Sequence, residues 1–292
     1  MEQIKLKAYG KINLGLDVVR RREDGYHEVR MVMQTVGIYD SIYLTKKDTP
    51  GITLKCNLSF LPVDEGNLAY RAAKMLMDEF DVKEGVEISL RKYLPVAAGM
   101  AGGSTDCAAV LFGVNRIFHL GLTKRQLMER GVKLGADVPY CLMRGTALAE
   151  GIGEKLTRLP DVPQCPVLIA KPPISVSTKF VYENLHANEL TWHPDIDGMV
   201  AAIHAGDLTG ICSRMENVLE TVTEKEYPVI SQIKDCMKQS GAYNSIMSGS
   251  GPTVFGLFPD EATAEKARQE ILKKELARQV YLTNFFTINE RR

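Results

Sequence analysis

The feature that most constrains this 292-residue chain is a tract between residues 94 and 106 that is poor in large side chains. It reads Leu-Pro-Val-Ala-Ala-Gly-Met-Ala-Gly-Gly-Ser-Thr-Asp. The segment 86–90 before it alternates apolar and polar residues like a strand, and the apolar pattern after Ala108 has the period of a helix. Glycine and alanine cannot build a side-chain core, so we expect a ligand to approach the backbone of this loop closely.

The same loop has the features of an anion-binding site. Gly99, Gly102 and Gly103 permit positive φ and lack the Cβ atom that would block a ligand. The Ser-Thr-Asp segment 104–106 supplies good N-cap residues, so we expect backbone N–H groups at a helix start to point into the loop. Phosphate is the favoured anion, and a flexible turn or a tight packing spot is the structural alternative. The glycine spacing fits neither a Walker A loop nor a dinucleotide-binding fingerprint.

The overall composition excludes several classes of protein. The chain has 36 basic and 36 acidic residues, and 45% of its residues are apolar, which is typical of a soluble globular protein. The absence of net charge argues against a nucleic-acid-binding or membrane-surface protein. There is no apolar segment of the kind found in signal peptides or membrane spans, and the six cysteines lack the paired spacing of zinc sites. We therefore expect a cytoplasmic protein with reduced cysteines.

A proline-dense segment, 159–166, is the clearest boundary in the chain. It predicts an N-terminal domain over residues 1–160, which contains the glycine-rich loop, and a C-terminal domain over 161–292. Strand and helix patterns alternate in both halves, which indicates the α+β class. A second loop of small residues, Ser248–Pro252, lies between two predicted strands of the C-terminal half.

Two polar pairs lie near the N-terminus. Lys11 and Asn13 are two residues apart in an alternating segment, so they share one face of the first predicted strand. A solvated edge strand is the simpler interpretation of that pair. Asp24-Gly25 indicates a hairpin turn, and Tyr26 and His27 follow it. An aromatic ring beside an imidazole suits stacking on a nucleobase and hydrogen bonding to its edge.

One acidic residue precedes an apolar segment in the middle of the chain. Asp137 lies two residues before Pro139, which suits the first turn of a short helix. The simplest role for Asp137 is therefore that of an N-cap. Its apolar flanks also predict that the carboxylate lies at the bottom of a pocket.

Taken together, these segments resemble the GHMP kinase family. The resemblance covers nearly the whole chain and rests on five motifs in the family's order. Met100 and Ala101 stand where the family usually has Leu and Gly, and Tyr9-Gly10 stands where it has Pro-Ala. These replacements are small or conserve volume. The matching segments are 8–14, 24–27, 95–105, 135–139 and 248–252.

The resemblance implies the two-domain GHMP kinase fold of the α+β class, with an N-terminal ribosomal-protein-S5-domain-2-like domain and a C-terminal ferredoxin-like α/β sandwich. It implies ATP as the phosphoryl donor, with Mg²⁺ bridging the phosphates. Lys11 and Asp137 match the family's catalytic pair. Asp137 would accept or orient the proton of the attacking hydroxyl. Lys11 would keep that carboxylate ionised and offset the charge on the transferred group.

The resemblance also implies binding residues, and within the family the Tyr26-His27 pair favours a cytidine diphosphate-linked methylerythritol as the acceptor, phosphorylated at its 2-hydroxyl. Tyr26 would stack on cytosine, His27 would hydrogen-bond its edge, and Asn13 would orient the methylerythritol hydroxyls. Thr178 and Tyr182 would also line the acceptor site, with Tyr182 where the family often has Phe. Ser104 or Thr105 would be the side chain to reach the metal. The implied ATP-binding residues are Pro95, Val96, Ala97, Ala98, Gly99, Met100, Ala101, Gly102, Gly103, Ser104 and Thr105.

Three other functions compete with this interpretation. A GHMP kinase acting on homoserine or a mevalonate would leave Tyr26 and His27 without a base to contact. A catalytically inactive, ligand-sensing family member would have no need for both Lys11 and Asp137. An RNA-binding protein would fit the resemblance to a ribosomal domain, but not the zero net charge. The sequence makes no prediction of oligomeric state.

Overall fold

The structure is a computed structural model that describes residues 2–287. The described residues form two compact units. The predicted boundary after residue 160 divides the chain into two continuous halves, whereas each compact unit combines several separate segments. The boundary therefore remains a prediction. The first unit comprises residues 2–10, 38–96 and 101–143, and the second comprises 11–37, 97–100 and 144–287.

Two long strands open the chain, β1 (Gln3–Arg21) and β2 (His27–Lys47), and they pair with each other. The predicted hairpin turn between them is confirmed. Gly25 has a φ of 85°, and the backbone N–H of Arg22 donates to the carbonyl of Tyr26 over 2.8 Å. The Asp24 carboxylate accepts from the backbone N–H of Tyr26 over 3.1 Å, which fixes the residue that precedes His27.

The first unit packs helices against a small sheet. Strands β3 (Gly51–Cys56) and β4 (Gly85–Arg91) are parallel, and β4 is antiparallel to the C-terminal part of β2. The apolar residues of β4 are buried, as their alternation predicted. Helix α2 packs against α1, α3 and α4. The four helices are α1 (Leu68–Glu79), α2 (Gly102–Ile117), α3 (Lys124–Gly131) and α4 (Val138–Met143).

The second unit contains the N-terminal part of β2, which is antiparallel to β5 (Thr146–Gly151), and β5 is antiparallel to β6 (Lys155–Arg158). Four further strands form an antiparallel sheet in the order β10-β7-β9-β8. Their bounds are β7 (Pro166–Lys171), β8 (Asn244–Met247), β9 (Val254–Leu257) and β10 (Gln279–Asn284).

The helices of the second unit supply the rest of its core. The apolar run in β7 is buried between neighbouring strands and helices, among them α10, and α9 packs against β8 and β9. The mixture of sheets and helices confirms the predicted α+β class. No helix among residues 2–287 is both long enough and apolar enough to cross a membrane. The helices are α5 (Thr178–Asn184), α6 (Ile196–Ala205), α7 (Leu208–Ser213), α8 (Glu220–Glu226), α9 (Val229–Gln239) and α10 (Glu261–Lys273).

Candidate active site

The glycine-rich loop leads directly into α2, but the helix begins earlier than predicted. Its first residue is Gly102, and its N-cap is Ala101, which has left-handed φ and ψ of 56° and 30°. The prediction that segment 104–106 caps the helix was wrong, because these residues lie within the helix and two of their side chains have other partners. The Thr105 hydroxyl donates to the carbonyl of Tyr9 over 2.8 Å, and the Asp106 carboxylate accepts from Lys92 over 2.7 Å.

No side chain in the described part of the chain caps this end of α2. The first N–H groups of an α-helix have no partner within the helix, and the helix dipole makes that end attractive to anions. The uncapped helix start supports the predicted anion site. The backbone donors lie at Gly102 and the residues after it, because the helix starts earlier than predicted.

Positive φ also occurs at different residues than predicted. It is found at Ala97, Gly99 and Ala101, with values of 49°, 70° and 56°. Gly102 and Gly103 are helical instead, so the prediction holds for Gly99 and was wrong for the other two. Two alanines adopt a conformation that glycine adopts more easily, which indicates that neighbouring contacts hold the loop in this shape.

Gly99 is also the point where the loop meets the second small-residue loop. A Cβ atom on Gly99 would lie 2.1 Å from the carbonyl oxygen of Ser248, and the Ser248 hydroxyl donates to the Gly99 carbonyl over 2.9 Å. Next to it, the backbone N–H of Lys11 donates to the carbonyl of Met100 over 3.2 Å. The second unit therefore brings together three of the predicted motifs, at residues 11, 99–100 and 248.

Lys11 and Asn13 lie on one face of β1, as predicted, and both are buried, which excludes the solvated edge strand. The Nζ atom of Lys11 donates to Oδ1 of Asn13 over 2.6 Å, and Nδ2 of Asn13 contacts Sδ of Met31 at 3.1 Å. A buried ammonium group needs hydrogen-bond partners, and Asn13 supplies one of them. This contact places the ammonium group of Lys11 beside the amide of Asn13.

Two of the predicted acceptor residues, His27 and Tyr182, form a second group within the same unit. The rings of His27 and Tyr182 lie 5.0 Å apart, while the Tyr26 side chain is 61% exposed. Burial, and to a lesser degree the charge of Arg21, lowers the pKa of His27, which favours the neutral imidazole. Its Nε2 atom is buried and has no hydrogen-bond partner among the described residues, so a polar ligand atom that reached it would satisfy it.

Helix α5 connects the acceptor group to the second small-residue loop. Ser177 caps the helix by accepting from the backbone N–H of Phe180, and Thr178 is its first residue. The hydroxyls of Thr178 and Ser250 lie 2.8 Å apart. Tyr182 follows Thr178 by one helical turn, so both predicted acceptor residues lie on one side of α5.

Asp137 belongs to the first unit and immediately precedes the buried helix α4. Its carbonyl accepts from the backbone N–H of Cys141 over 3.0 Å, so α4 starts where the sequence predicted. The residue is part-buried, and its role as a side-chain N-cap remains a prediction. The Oγ atom of Ser104 lies 3.7 Å from the Cβ position of Gly135, so segment 135–137 approaches the start of α2.

One buried cluster at this site was missed by the sequence analysis. The Lys92 ammonium group lies between the carboxylates of Asp40 and Asp106, and all three side chains are almost fully buried. Asp40 also accepts from the backbone N–H groups of Tyr93 and Leu94 over 2.5 and 2.8 Å. The cluster therefore fixes both the entry to the glycine-rich loop and the first turn of α2. In the sequence, the only sign of this cluster is the position of Lys92 just before the glycine-rich loop.

We predict that Asp106 makes stability depend on pH. Burial is the main cause that raises the pKa of Asp106, to about 8, and its Oδ1 atom has no hydrogen-bond partner among the described residues. Because the folded pKa lies above the unfolded one, the contribution of Asp106 to stability is full at low pH. It is lost as pH rises from about 4 towards 8.

Replacing Asp106 with Asn removes this titration. We expect the stability of Asp106→Asn relative to the wild type to rise by more than about 1.4 kcal/mol between pH 5 and pH 8, the equivalent of one pKa unit. Urea unfolding of both proteins, without nucleotide or metal, measures the difference. An equal difference at the two pH values would contradict the shifted pKa.

Two family models match the chain. The model for the GHMP kinases N terminal domain matches residues 67–145, which include the glycine-rich loop and Asp137. The model for GHMP kinases C terminal matches residues 199–278, which include the second small-residue loop.

Similar proteins extend over the whole chain. A protein of Lachnospira eligens named 4-diphosphocytidyl-2-C-methyl-D-erythritol kinase is 58% identical over 98% of this chain and 100% of its own length. A protein of the same name from Lachnoclostridium phytofermentans is 55% identical over 98% of both chains.

Among solved structures, a 4-(cytidine 5'-diphospho)-2C-methyl-D-erythritol kinase superposes with a TM-score of 0.83 at 28% identity, covering 98% of this chain and 100% of that one. A homoserine kinase from Cytophaga hutchinsonii has a TM-score of 0.75 at 21% identity, with coverage of 97% and 95%, and shows the shared fold.

The chain belongs to the GHMP kinase family. This membership confirms the predicted fold and makes the chain an ATP-dependent kinase.

Proposed function

We propose that this chain transfers the γ-phosphoryl group of ATP to the 2-hydroxyl of 4-(cytidine 5'-diphospho)-2-C-methyl-D-erythritol. The products are ADP and the 2-phosphate, and the reaction belongs to non-mevalonate isoprenoid precursor biosynthesis. Similar proteins of the same name and full length support the proposal. Within the site, the observation that supports this acceptor most is the His27–Tyr182 ring pair beside the exposed Tyr26, because it suits a nucleobase.

On the donor side, residues 95–105 bind the triphosphate mainly through the backbone. The uncapped start of α2 presents N–H groups to phosphate oxygens. Phosphoryl transfer depends mainly on in-line positioning and on stabilisation of charge, so a few fixed groups are sufficient. No lysine is needed within the loop itself.

The catalytic roles fall to Asp137 and Lys11. Asp137 accepts or orients the proton of the attacking hydroxyl, and the residue is part-buried immediately before the buried helix α4. Lys11 offsets the charge that builds on the transferred group. Its buried ammonium is held by Asn13, which limits the positions that it can take.

Mg²⁺ fits the donor chemistry of the nucleotide-binding segment. This ion prefers oxygen ligands and is usually bound by one or two protein groups together with phosphate oxygens and water. Ser104 would hold it, since its hydroxyl lies in the first turn of α2. Thr105 fits less well, because its hydroxyl donates to the Tyr9 carbonyl. When bound, Mg²⁺ neutralises charge on the phosphates.

On the acceptor side, each residue has a distinct role. Tyr26 stacks on cytosine, and the neutral His27 hydrogen-bonds the edge of the base through its Nε2 atom, which has no partner among the described residues. Tyr182 supports the His27 ring. Asn13 orients the methylerythritol hydroxyls, and Thr178 contributes its hydroxyl beside Ser250.

An ADP-release assay tests the proposal by offering the cytidyl diphosphate acceptor, homoserine and mevalonate in parallel. We expect turnover with ATP and the first acceptor, and less than about 1% of that rate with the other two, because a site built for polar contacts rejects ligands that leave them unpaired. Turnover with homoserine or mevalonate alone would overturn the proposal. Inactivity with all three would favour the ligand-sensing alternative.

We predict that Tyr26→Ala raises the KM for the acceptor by about tenfold or more, because stacking on an aromatic side chain contributes roughly 1–3 kcal/mol per base. The KM for ATP should change less than twofold. Tyr26 is 61% exposed, so its removal leaves the core intact. Tyr243→Ala is the matched control, since Tyr243 is 51% exposed and lies outside the proposed site. Equal changes in both Michaelis constants would remove Tyr26 from the cytosine site.

The domain boundary after residue 160 is kept as part of the proposal, since the two family models match on either side of it. The cytoplasmic location predicted from the sequence stays a prediction.

A further inference from the structure

Asn217 is a buried residue outside the predicted motifs, and it is 2% exposed. Both polar atoms of its side chain, Nδ2 and Oδ1, form hydrogen bonds to backbone groups. Its Nδ2 atom donates to two carbonyls, those of Met247 and Gly249, over 2.8 Å each. Its Oδ1 atom accepts from the backbone N–H of Leu219 over 3.0 Å. One amide group therefore ties residues 217–219 to the second small-residue loop.

The same loop also contacts two parts of the proposed site. The Ser248 hydroxyl donates to the Gly99 carbonyl over 2.9 Å. The Cβ position of Gly249 lies 3.4 Å from the Cα atom of Gly99 and 3.6 Å from Oδ1 of Asn13. The loop thus contacts Asn217 as well as Gly99 and lies close to Asn13.

The backbone beside Asn217 is in turn fixed to the strand that carries Lys11 and Asn13. The N–H of Leu16 donates to the carbonyl of Glu216 over 2.9 Å, and the N–H of Val218 donates to the carbonyl of Leu16 over 3.0 Å. Glu220 adds a further contact by accepting from the backbone N–H of Met247 over 2.6 Å. Segment 216–220 therefore holds both β1 and the end of β8.

The loop is buried, but its side chains are small, so its position depends strongly on hydrogen bonds. Segment 248–251 reads Ser-Gly-Ser-Gly, and Gly249 and Gly251 have φ values of 58° and 87°. Glycine allows this path but does not enforce it. The loop has two backbone hydrogen bonds of its own, from Ser248 to Thr253 over 2.8 Å and from Gly251 to Ser248 over 3.0 Å. The two bonds from Asn217 add the connection that fixes the loop to segment 217–219.

We propose that Asn217 is a positioning residue for phosphoryl transfer: it sets the place of the loop 248–251 against Gly99 and Asn13. This inference rests on the proposed function. Without the Asn217 amide, the carbonyls of Met247 and Gly249 lose a buried partner, and the loop can shift. A misplacement of about 1 Å in a catalytic site can lower the rate by about 10²-fold.

The test compares Asn217→Ala with Asn244→Ala. Asn244 is a matched control in the same unit, since its Nδ2 atom also donates to two carbonyls, those of Cys212 and Met215, over 2.8 and 3.2 Å. Both variants are measured for thermal unfolding, for kcat and KM with ATP and the acceptor, and for amide hydrogen exchange of residues 248–251. The chain is used at full length.

We expect both variants to lose stability. Only Asn217→Ala should lower kcat by tenfold or more and speed hydrogen exchange at 248–251 by tenfold or more. In a double-mutant cycle with Ser248→Ala, which removes the contact to Gly99, the two losses in kcat should be non-additive, because both act on one loop. If Asn217→Ala does not fold, Asn217→Ser is measured instead, because serine keeps a hydroxyl donor and leaves a smaller cavity. It should show a smaller loss of kcat and a smaller increase in exchange at 248–251.

Parallel loss of kcat in the Asn217 and Asn244 variants, in proportion to stability, would overturn the positioning role. Unchanged exchange at 248–251 would also overturn it. A wild-type protein without kinase activity would instead overturn the proposed function, and the exchange measurement would still decide whether Asn217 positions the loop.

Discussion

We expect Asp137→Asn to lower kcat by about 10²–10⁴-fold, because that is the range typical of the loss of a general base. The affinity for ATP should stay within about twofold of the wild-type value. The substitution keeps the size of the side chain but removes the charge and the ability to accept a proton. Because Asp137 precedes α4 and its carbonyl keeps the hydrogen bond to Cys141, we expect the fold to persist.

The control for this prediction is Asp207→Asn. Asp207 also precedes a six-residue helix, α7, and its side chain caps that helix by accepting from the backbone N–H of Gly210. Steady-state kinetics, nucleotide binding and thermal unfolding are measured on both variants. A small effect of Asp137→Asn on kcat would contradict the catalytic role. A loss of activity that is accompanied by the same loss of stability as in Asp207→Asn would show that Asp137 is structural. Lys11→Met should likewise lower kcat while leaving ATP binding largely intact.

Gly99→Ala has the second large effect that we predict. The added Cβ atom would lie 2.1 Å from the Ser248 carbonyl oxygen, and the residue has a φ of 70°. Left-handed φ alone costs an alanine about 1–2 kcal/mol, and the contact forces the two loops apart in addition. We expect kcat/KM for ATP to fall by at least about 10²-fold, since displaced catalytic groups lose about that much per ångström.

Gly121→Ala separates these two causes. Gly121 has a similar φ of 74°, but nothing lies within 4 Å of its Cβ position. It should therefore show the conformational cost to stability without the loss of activity. If both variants lose activity equally, or if Gly99→Ala remains fully active, the close approach between Gly99 and Ser248 is not required for function.

The parts of the site that depend on local chemistry could be predicted from the sequence. Lys11 and Asn13 share a face because side chains alternate along a strand, and Asp24-Gly25 forms the turn that it usually forms. The family could be recognised because its motifs are short, ordered and rich in residues with special backbone roles. Burial of Lys11 and Asn13 did not follow from the alternation, since a solvated strand has the same pattern.

The parts that depend on distant partners could not be predicted. Thr105 and Asp106 are good N-cap residues by type, but Tyr9 and Lys92 engage them, and Ala101 takes the cap position in a conformation that is locally unfavourable. The Lys92–Asp40 contact joins residues 52 apart in sequence. Long-range contacts of this kind leave no periodic signal in one sequence.

Identification of the reaction product decides whether this chain phosphorylates the 2-hydroxyl of the proposed acceptor. The purified chain is incubated with ATP, Mg²⁺ and 4-(cytidine 5'-diphospho)-2-C-methyl-D-erythritol, and the mixture is examined by phosphorus NMR and mass spectrometry. We expect stoichiometric ADP and a new phosphate monoester on the 2-hydroxyl. A phosphate on another hydroxyl, or no product from this acceptor while homoserine or mevalonate is phosphorylated, would contradict the proposed function.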